Sequence, residues 1–275
     1  MVAMRVGYAV LRFVTPIHVG RWTLYDSWDY VPSDAIYSAL YALGVRGGFR
    51  VSSAYPMVAD ASDRLHLPAP LPATWRLQLL RGAAPEEAKA VKRLRYIPLE
   101  CLKGGDVPKR RGDRWTCGGL ELKDRPYGER LAVARNALSR VNQMAEPYRI
   151  AVFNPLVPYV VYYQGLDVSY LKLLGEVGVG GKRSSGLGKF EVVEVGEVDV
   201  GDSGSAALLM GVGRPVGYER ALGEWAVRSW SCTWGAVGPA SVLMDGGVVW
   251  GSFDFEDLGG GGCVKILRPL WLWIS

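Results

Sequence analysis

The sequence predicts an α+β fold with one large domain followed by a smaller one. The first observation is an order of strand, helix and strand that occurs twice, once on each side of a basic insertion. The second is a turn-rich break at DSGS, residues 202–205, after which the composition changes. The third is length, because 275 residues are enough for one large domain or two ordinary ones.

The first strand–helix–strand unit opens the larger domain, which we predict over residues 1–200. Residues 4–14 are rich in Val, Leu, Tyr and Phe and predict a strand. Ser33 can cap a helix over residues 34–43, where apolar side chains recur on one face. Residues 49–53 predict a short second strand.

The pattern repeats after the insertion. Two β-rich runs, RIAVF and YVVYY, lie within residues 147–163. Asp167 can cap a helix that continues to Leu174, and residues 190–198 predict a strand. The whole order, β-α-β-insertion-β-α-β, is a ferredoxin-like (βαββαβ) plan.

The insertion, at about residues 75–145, is basic. Residues 81–149 contain 16 Lys and Arg but only 9 Asp and Glu. Such a concentration of positive charge attracts nucleic acid, although from charge alone a solvated, variable surface is the favoured interpretation. The run EEAKAVKRL predicts a helix, residues 103–119 predict a mobile loop, and residues 131–141 fit either a helix or extended chain.

The smaller domain is predicted over residues 203–275. Residues 206–212 and 264–274 predict strands, and six of the ten tryptophans lie beyond residue 220. In a small domain such aromatic side chains supply the core, and a docking surface is the alternative. We expect a second, degenerate ferredoxin-like unit, so the fold class is α+β with two such units in tandem.

Composition excludes several classes of protein. No apolar run approaches the roughly 18–20 residues that cross a bilayer, and the amino terminus has no signal-peptide pattern, so we expect a cytoplasmic protein. Four scattered cysteines and two histidines predict no metal site and no cofactor. We expect free thiols rather than a Cys101–Cys117 bridge. Only three Asn and three Gln are present, which is typical of thermophile proteins, where such a bridge is less unexpected.

The most informative segment is GVGGKRSSGLGKFE, residues 178–191, which has five glycines, three basic residues and two serines. Glycines let backbone amides approach a ligand, and the basic and hydroxyl groups suit phosphate. The segment matches neither the P-loop nor the dinucleotide-binding pattern, and it follows a helix rather than a strand. A glycine-rich connection needed only for packing leaves the three basic residues unexplained.

Candidates for catalysis are weaker. His18 follows the first strand and could act as an acid or base, although a buried loop histidine bonded to backbone is the simpler interpretation. His66, in a proline-rich loop, has the same two interpretations. Asp34 could be a catalytic carboxylate, but its place at a helix N-terminus favours capping.

Taken together, these segments resemble the RAMP superfamily of CRISPR-associated proteins. Residues 33–40 (SDAIYSAL) are similar to the SDTLFSAL helix of that family, and residues 49–56 (FRVSSAYP) to its FxISSxFP segment. Residues 67–70 (LPAP) and 135–140 (RNALSR) fall in the expected order before the glycine-rich loop of residues 178–191. Within the superfamily the resemblance is to subunit four of the Csm effector, the type III CRISPR interference complex.

The resemblance, which covers residues 10–191, implies a pair of ferredoxin-like domains and a non-catalytic role. It implies that the protein holds the 5′ tag of the CRISPR RNA between the large polymerase-type subunit and the backbone RAMP subunits. A CRISPR RNA processing endoribonuclease using His18, and a general RNA-binding scaffold, are the alternatives. Residues 103–114 are a candidate thumb-like insertion. The candidate RNA-binding residues are Gly180, Gly181, Lys182, Arg183, Ser184, Ser185, Gly186, Gly188, Lys189, Arg135, Asn136, Arg140 and His18.

Overall fold

The computed structural model describes residues 4–20, 23–138, 145–201, 203–232, 235–260 and 263–274. Its described residues include these helices: α1 (Ser33–Ala42), α2 (Ala73–Gly82), α3 (Ala88–Arg93), α4 (Leu99–Gly104), α5 (Val168–Val177) and a 3₁₀ turn at Arg183–Ser185. None of the helices in the described part of the chain is long and apolar enough to cross a membrane.

Strands make up most of the remaining regular structure. Those before residue 201 are β1 (Met4–Phe13), β2 (Arg50–Val51), β3 (Tyr55–Pro56), β4 (Val58–Ala59), β5 (Leu65–His66), β6 (Pro68–Pro70), β7 (Tyr96–Pro98), β8 (Lys109–Arg111), β9 (Arg114–Cys117), β10 (Leu120–Leu122), β11 (Gly128–Leu138), β12 (Ala145–Pro155), β13 (Tyr159–Gln164) and β14 (Phe190–Val200). Those after it are β15 (Ala206–Leu209), β16 (Pro215–Val216), β17 (Arg220–Leu222), β18 (Trp225–Cys232), β19 (Gly235–Leu243), β20 (Val248–Trp250), β21 (Asp254–Phe255), β22 (Leu258–Gly260), β23 (Cys263–Lys265) and β24 (Trp271–Ile274).

The first sheet has the order β14-β1-β13-β2, and β3 also pairs with β13. All of these pairs are antiparallel, with Val10 opposite Val160 across β1 and β13. Helix α5 approaches β14 so closely that a Cβ on Gly175 would overlap the carbonyl oxygen of Phe190. The side chain of Asp167 caps α5 by accepting a hydrogen bond from the amide of Ser169, as predicted. The expected mixture of helices and strands is therefore confirmed.

The insertion is more ordered than the sequence predicts. Strands β8, β9 and β10 form a small antiparallel sheet within residues 103–119 and just beyond, where we predicted a mobile loop. Trp115 is 9% exposed and anchors this sheet in the main core. Cys101 and Cys117 form a disulfide between α4 and β9, so the expectation of free thiols was wrong for this pair. The helix predicted from EEAKAVKRL is present as α3.

A long antiparallel hairpin ends the insertion. Strands β11 and β12 pair from Gly128 opposite Pro155 to Leu138 opposite Ala145. The ambiguity over residues 131–141 is thus resolved as extended chain up to Leu138. We refer to this β11–β12 pair as the long hairpin.

The part of the chain after residue 203 forms a second antiparallel sheet, in the order β17-β20-β15-β24. The described residues of this part contain no helix, so its unit lacks the two helices of a βαββαβ plan. Several of its buried side chains, such as Leu208 and Leu272, belong to the same core cluster as Val6 of β1 and Leu40 of α1. The two sheets therefore share one hydrophobic core.

The N-terminus of α1 joins the two parts. Ser33 does not cap the helix, because the preceding Pro32 takes the cap position and the Ser33 hydroxyl accepts a hydrogen bond from the amide of Val212 at 2.9 Å. Asp34 is 1% exposed and lies 3.1 Å from both Arg228 and Lys265. The structure thus replaces the expected capping role of Asp34 with a buried ion cluster.

Candidate nucleic-acid interface

The glycine-rich loop, residues 178–189, lies along the segment that follows β1. The amide of Gly181 donates to the carbonyl oxygen of His18 at 2.7 Å, and the amide of Gly188 donates to that of Pro16 at 2.9 Å. The amide of Lys189 donates to the hydroxyl of Thr15 at 2.9 Å. These bonds fix both ends of the loop on one short stretch of backbone.

Two glycines are required by this close approach. Gly180 has φ +88°, and a Cβ there would lie 2.6 Å from the carbonyl oxygen of His18. Gly188 has φ +76°, and its Cβ would overlap the backbone of Val179. Part of the glycine content therefore serves packing, as the simpler interpretation of the sequence proposed.

The tip of the loop presents its polar residues outward. Lys182 has φ +57° and begins the short 3₁₀ turn of Arg183–Ser185, in which the hydroxyl-bearing residues Ser184 and Ser185 are exposed. Lys182, Arg183 and Lys189 are partly exposed. Within the described ranges none of these three cations forms an ion pair with a carboxylate. The tip thus carries positive charge that is available to an anion.

His18 lies directly under the loop. Its side chain is 4% exposed, and its Nδ1 donates to the carbonyl oxygen of Ala151 on β12 at 2.7 Å. The ring is held between the loop and the long hairpin, since a Cβ on Gly181 would lie 3.1 Å from its Cδ2. This geometry matches the simpler interpretation, a buried histidine bonded to backbone, and gives His18 a positioning role.

The long hairpin forms the other wall of the site. Leu187 of the loop is buried against Ile150 and Val152 of β12, with Val133 of β11 beside them. Arg135 lies on the same face as Val133, two residues further along the strand, and its Nη2 is 3.5 Å from the carbonyl oxygen of Ser185. A small apolar cluster therefore holds a basic side chain at the loop.

Two further contacts complete this corner. The register places Tyr148 opposite Arg135, and the Lys182 ammonium lies 5.8 Å from the centre of the Tyr148 ring. The Nε atom of Arg135 is buried and has no hydrogen-bond partner among the described residues. A buried N–H without a partner is costly unless a ligand supplies an acceptor. Tyr148 and this N–H are features that the sequence analysis missed.

The structure separates the remaining candidates. Asn136 follows Arg135 on β11 and therefore points to the opposite face of the long hairpin. Arg140 lies outside the described residues. His66 contacts Asp60 and Glu100, each 3.1 Å away, and not the glycine-rich loop in the described structure. Of the predicted set, the loop residues, His18 and Arg135 come together.

Comparison with known proteins gives a consistent picture. No protein-family model matches the chain. A stretch of 180 residues is 29% identical to "CRISPR system Cms protein Csm4" of Thermococcus onnurineus (strain NA1), which covers 58% of this chain and 55% of that protein. The chain thus spans about half the length of the curated relative that it matches.

Two solved structures share the fold over nearly the whole chain. One is in the crystal structure of a Csm1–Csm4 cassette in complex with AMPPNP, with a TM-score of 0.59, 16% identity, and coverage of 99% of this chain and 98% of that one. This chain is similar in sequence to a Csm4 protein over 180 residues and shares the fold of a chain in this Csm1–Csm4 structure. The other is in the crystal structure of the Csm3–Csm4 subcomplex of the type III-A CRISPR–Cas interference complex, with a TM-score of 0.51, 12% identity, and coverage of 99% and 100%. At these identities the two structures support the fold and not the roles of individual residues.

Proposed function

We propose that the chain is a non-catalytic RNA-binding subunit of a type III CRISPR interference complex. In this proposal it holds the 5′ tag of the CRISPR RNA and connects the large polymerase-type subunit to the backbone RAMP subunits in the cytoplasm. The two structural neighbours, crystallised with Csm1 and with Csm3, support the choice of partners. A ferredoxin-like unit at residues 1–200 and a degenerate second unit at residues 203–275 belong to the same proposal, and the sheet order β14-β1-β13-β2 supports the first of them.

One observation supports the proposed RNA-binding role. The loop has three cations that lack carboxylate partners in the described structure, and the neighbouring strand β11 adds the buried, unpartnered N–H of Arg135. Unpaired RNA is held through its phosphates and by base stacking, so such a corner, with Tyr148 beside it, suits a single-stranded sugar-phosphate backbone. The candidates on the loop, with His18 beneath them, belong to this interface as we propose it.

The competing function is RNA cleavage with His18 as acid or base. The ring is buried and its Nδ1 is bound to the backbone of Ala151, so that only one ring nitrogen remains for proton transfer. A general acid or base must come within hydrogen-bond reach of its substrate. The observed environment favours the positioning role.

The test compares two double variants of the full chain in binding to single-stranded RNA from the CRISPR repeat. The first, Lys182→Ala with Arg183→Ala, keeps a Cβ at both positions and removes two charges from the loop tip. The control, Arg81→Ala with Lys172→Ala, removes two exposed charges from α2 and α5. At about 1 kcal/mol for each partly exposed contact, the loop variant should lose roughly 10- to 30-fold in affinity.

The control variant should bind within about twofold of the unaltered chain. Equal losses in the two double variants would show that the loop has no special role and would contradict the proposal. Incubation of the chain with repeat RNA, without added metal, tests the alternative. Discrete cleavage that disappears in His18→Ala would make the protein a nuclease.

A further inference from the structure

A second site lies where the two sheets meet. A cavity of about 480 Å³ opens between α2, residues 28–30, residues 95–96 and two turns of the second unit, residues 222–224 and 244–246. This volume is within the range of small-ligand sites and is large enough for a nucleoside. We infer that the cavity binds one nucleobase of the bound RNA, turned out of the strand. The inference rests on the proposed function and adds a subsite to it.

Aromatic side chains form one wall of the cavity. Trp28, Tyr30 and Tyr96 all line it, and the rings of Trp28 and Tyr30 meet edge to face at 5.5 Å. Every base has a flat π-face, so such a wall binds bases without requiring a particular sequence. The wall distinguishes this cavity from a simple anion site.

The mouth carries charges that suit a nucleotide. Arg76 and Lys92 line the cavity, and within the described structure neither forms an ion pair with a carboxylate. Burial and the neighbouring Arg95 lower the pKa of Arg76, while the carboxylate of Glu224 partly offsets them. Arg95 itself is neutralised by Asp29, at 2.7 Å. The exposed carboxylate of Glu224 also lines the cavity and supplies an acceptor for an exocyclic amino group.

The cavity is preformed. The carboxylate of Asp245 accepts hydrogen bonds from the hydroxyls of Tyr30 at 2.8 Å and Tyr55 at 2.7 Å. The amide of Ala73, at the start of α2, donates to the carbonyl oxygen of Gly246 at 2.8 Å. These bonds tie the second unit to the first across the cavity, so binding needs no large rearrangement.

The cavity and the glycine-rich loop share one segment of chain. The amide of Trp28 donates to the carbonyl oxygen of Val19 at 2.9 Å. Val19 follows His18, whose carbonyl oxygen accepts from Gly181 of the loop, and Val19 also touches Gly180. The loop and the aromatic wall are thus linked through the backbone of residues 18–19 and Trp28.

The test combines a substitution that fills the cavity with RNA from which one base has been removed. Leu77 lines the cavity from α2 and is 38% exposed, so Leu77→Trp fills the space without unpacking the core. Gln78→Trp adds the same side chain at the next, exposed position, outside this cavity, and is the matched control. Binding of the full chain to repeat RNA is measured by fluorescence anisotropy, with an abasic site at each position in turn.

In the unaltered chain and in Gln78→Trp, one abasic position should weaken binding by between about fivefold and a hundredfold, the usual effect of losing one stacked base. In Leu77→Trp the intact RNA should bind more weakly by a similar factor. Removing the base at the same position should then reduce the affinity of this variant by less than about twofold. Abasic penalties that are the same in Leu77→Trp and the unaltered chain at every position would overturn the inference.

The outcomes separate this inference from the proposed function. If RNA binding depends on Lys182 and Arg183 but no abasic penalty is reduced by Leu77→Trp, the inference is overturned and the proposed function is not. Absence of RNA binding would overturn both. Calorimetric binding of free AMP that Leu77→Trp abolishes, without a coupled RNA position, would assign the cavity to a free nucleotide and contradict the RNA assignment.

Discussion

The buried ion cluster at the start of α1 gives the most quantitative prediction. Both carboxylate oxygens of Asp34 are in use: Oδ1 accepts from Arg228 at 3.1 Å, and Oδ2 accepts from Trp230 Nε1 at 2.8 Å and from Lys265 at 3.1 Å. The Lys265 ammonium also donates to Ser38 at 2.8 Å. Through these bonds one carboxylate attaches α1 to β18 and β23 of the second unit.

The change Asp34→Ala would leave Lys265 and Arg228 buried without their counter-charge. Side-chain exposure is 8% for Lys265 and 14% for Arg228, so water cannot replace the carboxylate. Removing one member of a buried ion pair costs about 3–5 kcal/mol. At about 2–4 °C per kcal/mol for a chain of this size, the melting temperature should fall by roughly 6–20 °C.

Acid should weaken the same cluster. Burial alone would raise the pKa of Asp34, but Lys265, Arg228 and the hydrogen bonds outweigh it and lower the pKa from 3.8 to about 2. This difference corresponds to about 2 kcal/mol of folding free energy. Because the pKa is lower in the folded state, the contribution is complete above about pH 4 and is lost as the pH falls through about 2.

The assay is thermal unfolding followed by circular dichroism, at neutral pH and across the acid range. Glu256→Ala is the control, because its ion pair with Arg214 is half exposed and such pairs contribute about 0.2–1 kcal/mol. In Asp34→Asn the melting temperature should fall less with acid than in the unaltered chain, because this carboxylate no longer titrates. A melting temperature of Asp34→Ala within about 2 °C of the unaltered chain would refute the reasoning.

Two further predictions concern the loop and the cavity. Both Gly186→Ala and Gly188→Ala place a side chain at positive φ, but only the Cβ at position 188 overlaps the backbone of Val179. Gly186→Ala should lower the free energy of unfolding by roughly 1 kcal/mol, and Gly188→Ala should lower it by at least about 2 kcal/mol more. Gly188→Ala should also weaken RNA binding. Equal effects of the two changes in thermal unfolding would contradict the packing described. Asp245→Ala removes the acceptor of two buried tyrosine hydroxyls and should cost about 2–6 kcal/mol in denaturant unfolding, with a smaller loss in Asp245→Asn, which keeps an acceptor oxygen. An unchanged unfolding midpoint in Asp245→Ala would show that these bonds do not stabilise the fold.

The elements of the first sheet were predictable because their signals are local. The capping side chain of Asp167, the apolar periodicity of α5 and the β-rich run over residues 159–163 each lie within a few residues of the element that they define. Helix α2 was missed because it has no fully buried residue, so its sequence lacks a clear apolar stripe. The β8–β10 sheet was missed because its strands are short and charged, and packing of Trp115 stabilises it from a distance.

The candidate site was predictable in composition but not in assembly. The glycines and cations of the loop are visible in the sequence. The approach of Arg135 and His18 to the loop depends on contacts between segments that are 50 residues apart for Arg135 and Ser185 and 133 residues apart for His18 and Ala151. The ion cluster of Asp34 shows the same limit, because its partner Arg228 lies 194 residues away in the chain. Local propensity carries no information about such partners.

The salt dependence of RNA binding tests the central claim most directly. Each phosphate neutralised on a single strand contributes about 0.7 to the slope of log K against log salt concentration. If Lys182 and Arg183 each contact a phosphate, the loop double variant should have a slope that is shallower by about 1.4, while the Arg81 and Lys172 control keeps the slope of the unaltered chain. An unchanged slope in the loop variant would show that the loop does not touch the RNA backbone.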